Sequence, residues 1–351
     1  MYRMADTAAE TKPQIETLIG DVLATIERER EREIVSRRFG LFDRRETLEQ
    51  IGELLGITRE RVRQLEKAAI TKLRISAGKG DIPGVLKIEE DIVAALNAMG
   101  KAARISDLSA QFSKENSKLD QARVSFLAML CPKLAVIDEN DNYHHAVGIL
   151  ETHNEKVMKE KVNAIVDAIK KIGEPSTAEA IAVKVSDADV DHVKALASMS
   201  KLVATLNGRW GLTKWPMVNP KNIRDKIYVI LHESGKHMHF NDIAASIKDS
   251  SFKRKDVTTQ AIHNELIKDD RFVLIGRGIY ALKEWGYKKG TVADIITEVL
   301  KKANEPLHRD EIVKRVLKNR YVKETTILLN LQGKPQFKRV AKATYTLAEA
   351  E

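Results

Sequence analysis

A mainly α chain with small β wings, built as one helix-turn-helix followed by four tandem winged helices, is predicted by three observations. Residues 47–66, "TLEQIGELLGITRERVRQLE", pair a capped, amphipathic segment with an arginine-rich one across a glycine. Beyond residue 84 the chain resembles itself four times. Each of the four copies closes on a short alternating aromatic and apolar stretch, the mark of a strand.

The first element in order is the helix-turn-helix. Thr47 with Gln50 three residues later makes a capping box and starts a helix through Leu55. Ile51 and Leu55 mark its buried face, and Gly52 is small enough to let the next helix cross close by. Gly56 breaks the helix, Ile57 plugs the core and Thr58 caps a second helix. Along that second helix Val62, Leu65, Ala69 and Leu73 recur at three- and four-residue steps and face inward. Arg59, Glu60, Arg63, Gln64 and Lys67 then face outward, with Arg61 on the flank. These are side chains that read DNA: arginine reaches guanine bidentately, glutamine reaches adenine, and glutamate accepts from cytosine. A merely solvated helix has no need of Gly52, Gly56 and Thr58 at these spacings. Upstream, the alternation from Glu27 to Glu33 places opposite charges three apart, as expected of mutual pairing on a wet face.

The stretch 78–84, "GKGDIPG", reads as a linker after a domain spanning 14–77. The repeats follow: "ALNAMGKAARISDL" from 95, "AIKKIGEPSTAEAI" from 168, "ILHESGKHMHFNDI" from 230 and "VLKKANEPLHRDEI" from 299 align without a gap. Gly100, Gly173, Gly235 and Asn304 stand where a helix end wants a left-handed residue. Leu108, Ile181, Ile243 and Ile312 anchor the following helices, and N-caps are expected near Ser106, Thr177, Asn241 and His308 to Asp310. The copies end in "NDNYHHAVGI", "NGRWGLTKW", "GRGIYALKEW" and "KATYTLAEA", where Trp210, Tyr280 and Tyr345 are expected to pack a closing strand on the helices. Domains are assigned to 85–150, 155–217, 221–287 and 290–349.

Composition bounds the function. The 351 residues, 43% hydrophobic and 31% charged, suit a soluble multidomain protein. Cys131 is the single cysteine, so an internal disulfide and a zinc finger are excluded. No apolar run suits a leader or a membrane span, and a cytoplasmic, nucleoid-associated protein is expected. Net charge is +2 over residues 1–80, −2 over 81–220 and +9 over 221–351. The surplus lies in Lys253-Arg254-Lys255, Lys288-Lys289, Lys301-Lys302 and "QGKPQFKR" at 332–339, the last where a wing hairpin is expected. Lys253, Arg254, Lys255, Lys334, Lys338 and Arg339 are therefore candidate wing or backbone contacts to phosphate. The slightly acidic first two repeats suit protein contacts or spacing. His237 with His239, and His144 with His145, read as ordinary surface pairs, and "AGKGDIPG" lacks the spacing of a phosphate-binding loop. No nucleophile–base or paired-acid arrangement stands out, so no catalysis, metal, cofactor or small-molecule substrate is expected.

Asp21 to Arg74 resembles region four of bacterial primary sigma factors, through Arg38-Phe39-Gly40-Leu41, Thr47-Leu48-Glu49-Gln50-Ile51-Gly52 and Thr58-Arg59-Glu60-Arg61-Val62-Arg63-Gln64. The resemblance implies that this helix reads the upstream, minus thirty-five promoter element. Arg59, Glu60, Arg63 and Gln64 would then touch base edges, and Thr47, Leu48 and Arg61 phosphate, with Lys67 placed beside them. It also implies docking of the helix around Ile34 and Phe39 on the flap of the RNA polymerase beta subunit. Unlike that family, only about twenty residues precede the resemblance and no aromatic-rich melting segment is present, so the chain is not expected to open promoters alone. "GRWGLTKW" and "GRGIYALKEW" resemble the ends of HARE-type helix-turn-helix domains, found also in the delta subunit of bacterial RNA polymerase, with Asn222 to Tyr287 the best match. A sigma-like transcription regulator is the reading these features favour. A polymerase-flap scaffold competing with sigma factors and the DNA-recognition arm of a restriction or defence system are its alternatives.

Overall fold

The computed structural model describes residues 7–348, with side chains from residue 15 onward. They divide into two compact units that meet in the chain between Lys214 and Trp215. The chain is mostly helical, with four small antiparallel sheets.

The first unit opens with α1 (Thr7–Ala24), α2 (Glu29–Phe39), α3 (Leu48–Leu55) and α4 (Arg59–Lys79). The capping box is formed: Thr47 Oγ1 accepts from Gln50 N, and Gln50 Oε1 accepts from Thr47 N. Gly56 ends α3 in the left-handed conformation and Thr58 caps α4 by accepting from Arg61 N. Both terminations satisfy backbone groups that a helix end would otherwise leave bare. Gly52 is required sterically. A Cβ there would lie 2.7 Å from the carbonyl oxygen of Ile57, in the turn that carries α3 into α4. Ile34, Ile51 and Val62, all fully buried, form the core of this small assembly, and Leu48, Leu55, Ile57 and Leu65 close around it.

The expected linker is a tight joint instead. Gly78 and Lys79 continue α4, Gly80 caps it, and Ile82 is buried beside α5 (Val85–Ala98). Apolar burial therefore runs without a break from α1 into the first repeat, which adds β1 (Ala102–Arg104), α6 (Ile105–Phe112), α7 (Lys118–Leu130), β2 (Leu134–Ile137) and β3 (Ala146–Ile149). Phe39 of α2 meets Phe126 of α7 with ring centroids 5.1 Å apart. Arg123, buried on α7, donates from Nε to Leu41 O at 2.9 Å and pairs with Glu16 at 3.2 Å. Glu31 is a second correction: it lies 6% exposed, with Arg28 3.2 Å away, because residues 31, 34 and 35 share the inward face of α2.

The second repeat comprises α8 (Glu155–Ile172), β4 (Ser176–Thr177), α9 (Ala178–Val185), α10 (Val190–Met199), β5 (Val203–Leu206) and β6 (Arg209–Leu212). It meets the first through a buried imidazole pair. His153 Nε2 and His192 Nε2 lie 2.7 Å apart, and His192 Nδ1 lies 2.6 Å from Asp187. Burial, helped by the nearby Lys161, pushes His153 down to about 4, so the His153 imidazole is neutral at neutral pH.

The second unit holds two further repeats. One runs α11 (Ile223–Ser234), β7 (Met238–His239), α12 (Phe240–Asp249), α13 (Thr259–Lys268), β8 (Phe272–Gly276) and β9 (Ile279–Leu282). The other runs α14 (Val292–Ala303), β10 (Leu307–His308), α15 (Arg309–Leu317), α16 (Glu324–Gly333), β11 (Phe337–Ala341) and β12 (Thr344–Leu347).

In all four repeats the short strand after the first helix pairs with the last strand, which pairs with the strand before it. Gly100, Gly173, Gly235 and Asn304 are all left-handed, and Leu108, Ile181, Ile243 and Ile312 are all fully buried. Tyr280 and Tyr345 are buried as expected, whereas Trp210 is half-buried. Thr177 caps α9 and His308 caps α15, both at expected places; α12 is capped by His239, two residues before Asn241, and Arg104 precedes α6 without a side-chain cap.

Candidate nucleic-acid interface

The outward face of α4 is as the periodicity requires. Burying Val62, Ala69 and Leu73, and half-burying Leu65, leaves Arg59, Glu60, Arg61, Arg63, Gln64 and Lys67 exposed. Four of these engage one another. The Arg63 guanidinium holds both Glu60 oxygens, at 2.8 and 2.6 Å; Gln64 Nε2 donates to Glu60 at 3.3 Å, and Arg61 donates to Gln64 Oε1 at 3.3 Å. The Arg63 hydrogen bonds hold the Glu60 carboxyl below the usual carboxylate range, and Glu60 raises Arg63 in return. The cluster thus keeps its charges wherever a duplex would be stable. Because it is solvated and i,i+3 in spacing, its internal bonds are weak and exchange readily for base or phosphate partners. Among the described residues Arg59 and Lys67 lie in no ion pair, and they stand exposed at the two ends of this face.

The start of α3 supplies a second contact region. Thr47 is exposed and Leu48 half-buried, and the amides of the first helical turn have no acceptor within the helix. Sequence reasoning missed its neighbours. Arg44 and Arg45, exposed and in no ion pair among the described residues, precede the cap and line a cleft of about 610 Å³ that also contains Phe42, Lys118 and the acidic Asp43, Asp138 and Glu139. The run "DRRET" carries that signal in charge alone.

The expected docking pair resolves differently. Ile34 has no exposed surface, since it fills the core between α2, α3 and α4, and it cannot meet a partner without unfolding that core. Phe39 is half-buried, its ring turned toward Phe126.

In the second unit Lys334 follows α16, while Lys338 and Arg339 lie on β11, the first strand of the closing hairpin, all three exposed. Lys253, Arg254 and Lys255 are exposed too, but on the loop between α12 and α13 and not on a hairpin; the corresponding hairpin turn is Arg277 and Gly278. Arg254 O accepts from Lys226 Nζ at 2.6 Å, and Lys255 donates to Ser250 O at 3.3 Å, so part of this loop is tied to its own repeat. Lys288 and Lys302 share Glu298, and Lys289 pairs with Asp270, which trims the basic surplus.

His237 lies against Tyr321 with centroids 4.5 Å apart, and His145 Nε2 lies 3.0 Å from Ser125 Oγ, neither with a metal-binding set around it. Among the described residues no cluster of three or more histidine, cysteine or acidic side chains is placed to hold a metal, and no helix is long and apolar enough to cross a membrane. Cys131 is buried, which pushes its thiol up to about 12 and keeps it unreactive.

Thr58 offers a local test of this architecture. Thr58→Ala removes the acceptor for Arg61 N and is expected to cost about 1 kcal/mol, read as faster hydrogen exchange in the first turn of α4.

Residues 28–74 match the family described as Sigma-70, region 4. The chain is 49% identical over 73 residues to RNA polymerase sigma factor SigA of Bacillus sp, a match covering 20% of this chain and 18% of SigA. It is 46% identical over 67 residues to RNA polymerase sigma factor RpoD of Helicobacter pylori, covering 18% of this chain and 9% of RpoD. The matches therefore span about a fifth of this chain and less than a fifth of either relative, and the family match covers the helix-turn-helix and its flanks.

Proposed function

We propose that this chain is a sigma-factor-like DNA-binding transcription regulator that recognises promoter-type duplex through α4 and acts with RNA polymerase in transcription initiation. The observation that carries the reading is the fully displayed set Arg59, Glu60, Arg63 and Gln64 on a helix fixed by two caps and a glycine crossing. Laid in the major groove, the N-terminal part of such a helix brings arginine and glutamine tips to base edges. Arg61, Lys67 and the start of α3 at Thr47 and Leu48 take the flanking phosphates, and Arg44 and Arg45 extend that track.

The four repeats act as winged helices on this reading, the third of HARE type, with helix, short strand, two helices and a hairpin in each. Lys334, Lys338 and Arg339 suit backbone contact in the same DNA complex, giving an affinity that falls steeply with salt. The protein works by binding, without catalysis, in the cytoplasm. Its contact with polymerase uses the region-four surface. If the beta-subunit flap takes Phe39, it competes with Phe126 for the same ring.

Capture by core RNA polymerase tests the polymerase half of this reading. Retention of the full chain on core enzyme, strengthened by promoter duplex, is the expected result; no retention under either condition contradicts it.

A further inference from the structure

Arg320 stands between the third and fourth repeats, on the segment leading into α16. It is 8% exposed. One guanidinium nitrogen donates to Leu274 O, while Nε is sealed from solvent with no hydrogen-bond partner. No carboxylate lies within ion-pair distance of it among the described residues, and Asp294 acts on it only from further away. Burial pushes this guanidinium down from its ordinary range, with Asp294 opposing. Arg123, equally buried, has Leu41 O on its Nε and Glu16 as counter-charge. A buried cation without either is a costly arrangement that an anion relieves.

Such an anion has somewhere to sit. Arg320 lines a cleft of about 880 Å³ together with Arg277, Lys323, Thr326, Tyr321 and Ile279, and no aspartate or glutamate lines it. Arg277 and Lys323 are exposed and lie in no ion pair among the described residues. Lys323 and Thr326 also mark the first turn of α16, whose N-cap position, Lys323, provides no side-chain acceptor. Glu324 already sits in that first turn and Thr326 N donates to Lys323 O at 2.9 Å, so the side chains of this cleft, and not the helix end, are what an anion would meet. Tyr321 is 55% exposed on the same cleft, while its backbone N is held by Ile275 O at 3.0 Å. Its ring packs against His237 with centroids 4.5 Å apart and keeps about half its surface open.

We propose that this cleft binds a small organic phosphate, the phosphate among Arg277, Arg320 and Lys323, and the organic body against Tyr321. Two guanidiniums and an ammonium lining one cleft that no carboxylate lines suit a phosphate dianion. The depth of Arg320 puts it beyond the phosphates of an intact duplex, so a small ligand is favoured over DNA. The site belongs to the second unit and stands whether or not α4 reads DNA.

Calorimetric titration of the full chain with adenosine monophosphate, and separately with inorganic phosphate, tests this. Saturable one-to-one binding of adenosine monophosphate is expected. Affinity should fall at least tenfold in Arg320→Gln and in the doubly substituted Arg277→Gln, Lys323→Gln chain, whose exposed positions leave folding intact. No saturable binding of either probe overturns the proposal, as does binding unchanged by the double substitution or displaced by a random duplex. Equal affinity for the two probes overturns the role given to Tyr321.

Discussion

Phe126→Ala is expected to destabilise the first unit by about 3–5 kcal/mol, the range for emptying a fully buried aromatic site. Phe126 has no exposed surface, and its ring packs 5.1 Å from that of Phe39. The void therefore opens between α7 and α2, where region four meets the first repeat. Hydrogen exchange should show protection lost across α1, α2 and α7 while residues of the second unit keep theirs. The milder Phe126→Leu keeps most of the volume and should cost less. If Phe39 is a polymerase contact, that variant should bind core enzyme more tightly than the unaltered chain. Protection lost in both units alike would show that this packing does not act locally.

Gly52→Ala is expected to cost about 1–3 kcal/mol and to weaken DNA binding with it. The new Cβ would meet Ile57 O at 2.7 Å, and that oxygen belongs to backbone. The turn cannot simply move away, because Ile57 N donates to Gly52 O at 2.9 Å and Ile57 itself packs on the core of Ile34, Ile51 and Val62. Relief must come from shifting α4 against α3, which displaces the reading face. Urea denaturation and duplex titration of the same variant check both halves. Unchanged stability with unchanged affinity would mean that the crossing is looser than its geometry implies.

The helix-turn-helix was legible because its signals are local. Thr47 and Gln50, Gly56, Thr58 and the three- and four-residue apolar steps each act within one or two turns. The repeats were legible for the same reason: left-handed Gly100, Gly173, Gly235 and Asn304 mark helix ends whatever surrounds them. What stayed hidden depends on distant partners. Arg123 and Leu41 are 82 residues apart, so a shared core spanning the supposed linker leaves no short-range trace. Ile34 was carried over by resemblance as a docking residue, and its burial with Glu31 and Val35 on the inward face of α2 shows only in the packing. His239 was passed over as a cap in favour of Asn241 because imidazole is an uncommon acceptor there. The orphaned Arg320 is a property of packing between repeats, which no spacing encodes.

The most direct test of the central claim is a binding selection on random duplexes at fixed salt, run with the unaltered chain and with Arg63→Ala and Gln64→Ala. Enrichment of a short, hexamer-like site is predicted, with Gln64→Ala relaxing one position at a cost of about 1–3 kcal/mol and Arg63→Ala relaxing another. Failure to enrich any site, or the same site enriched equally by all three chains, would contradict the account.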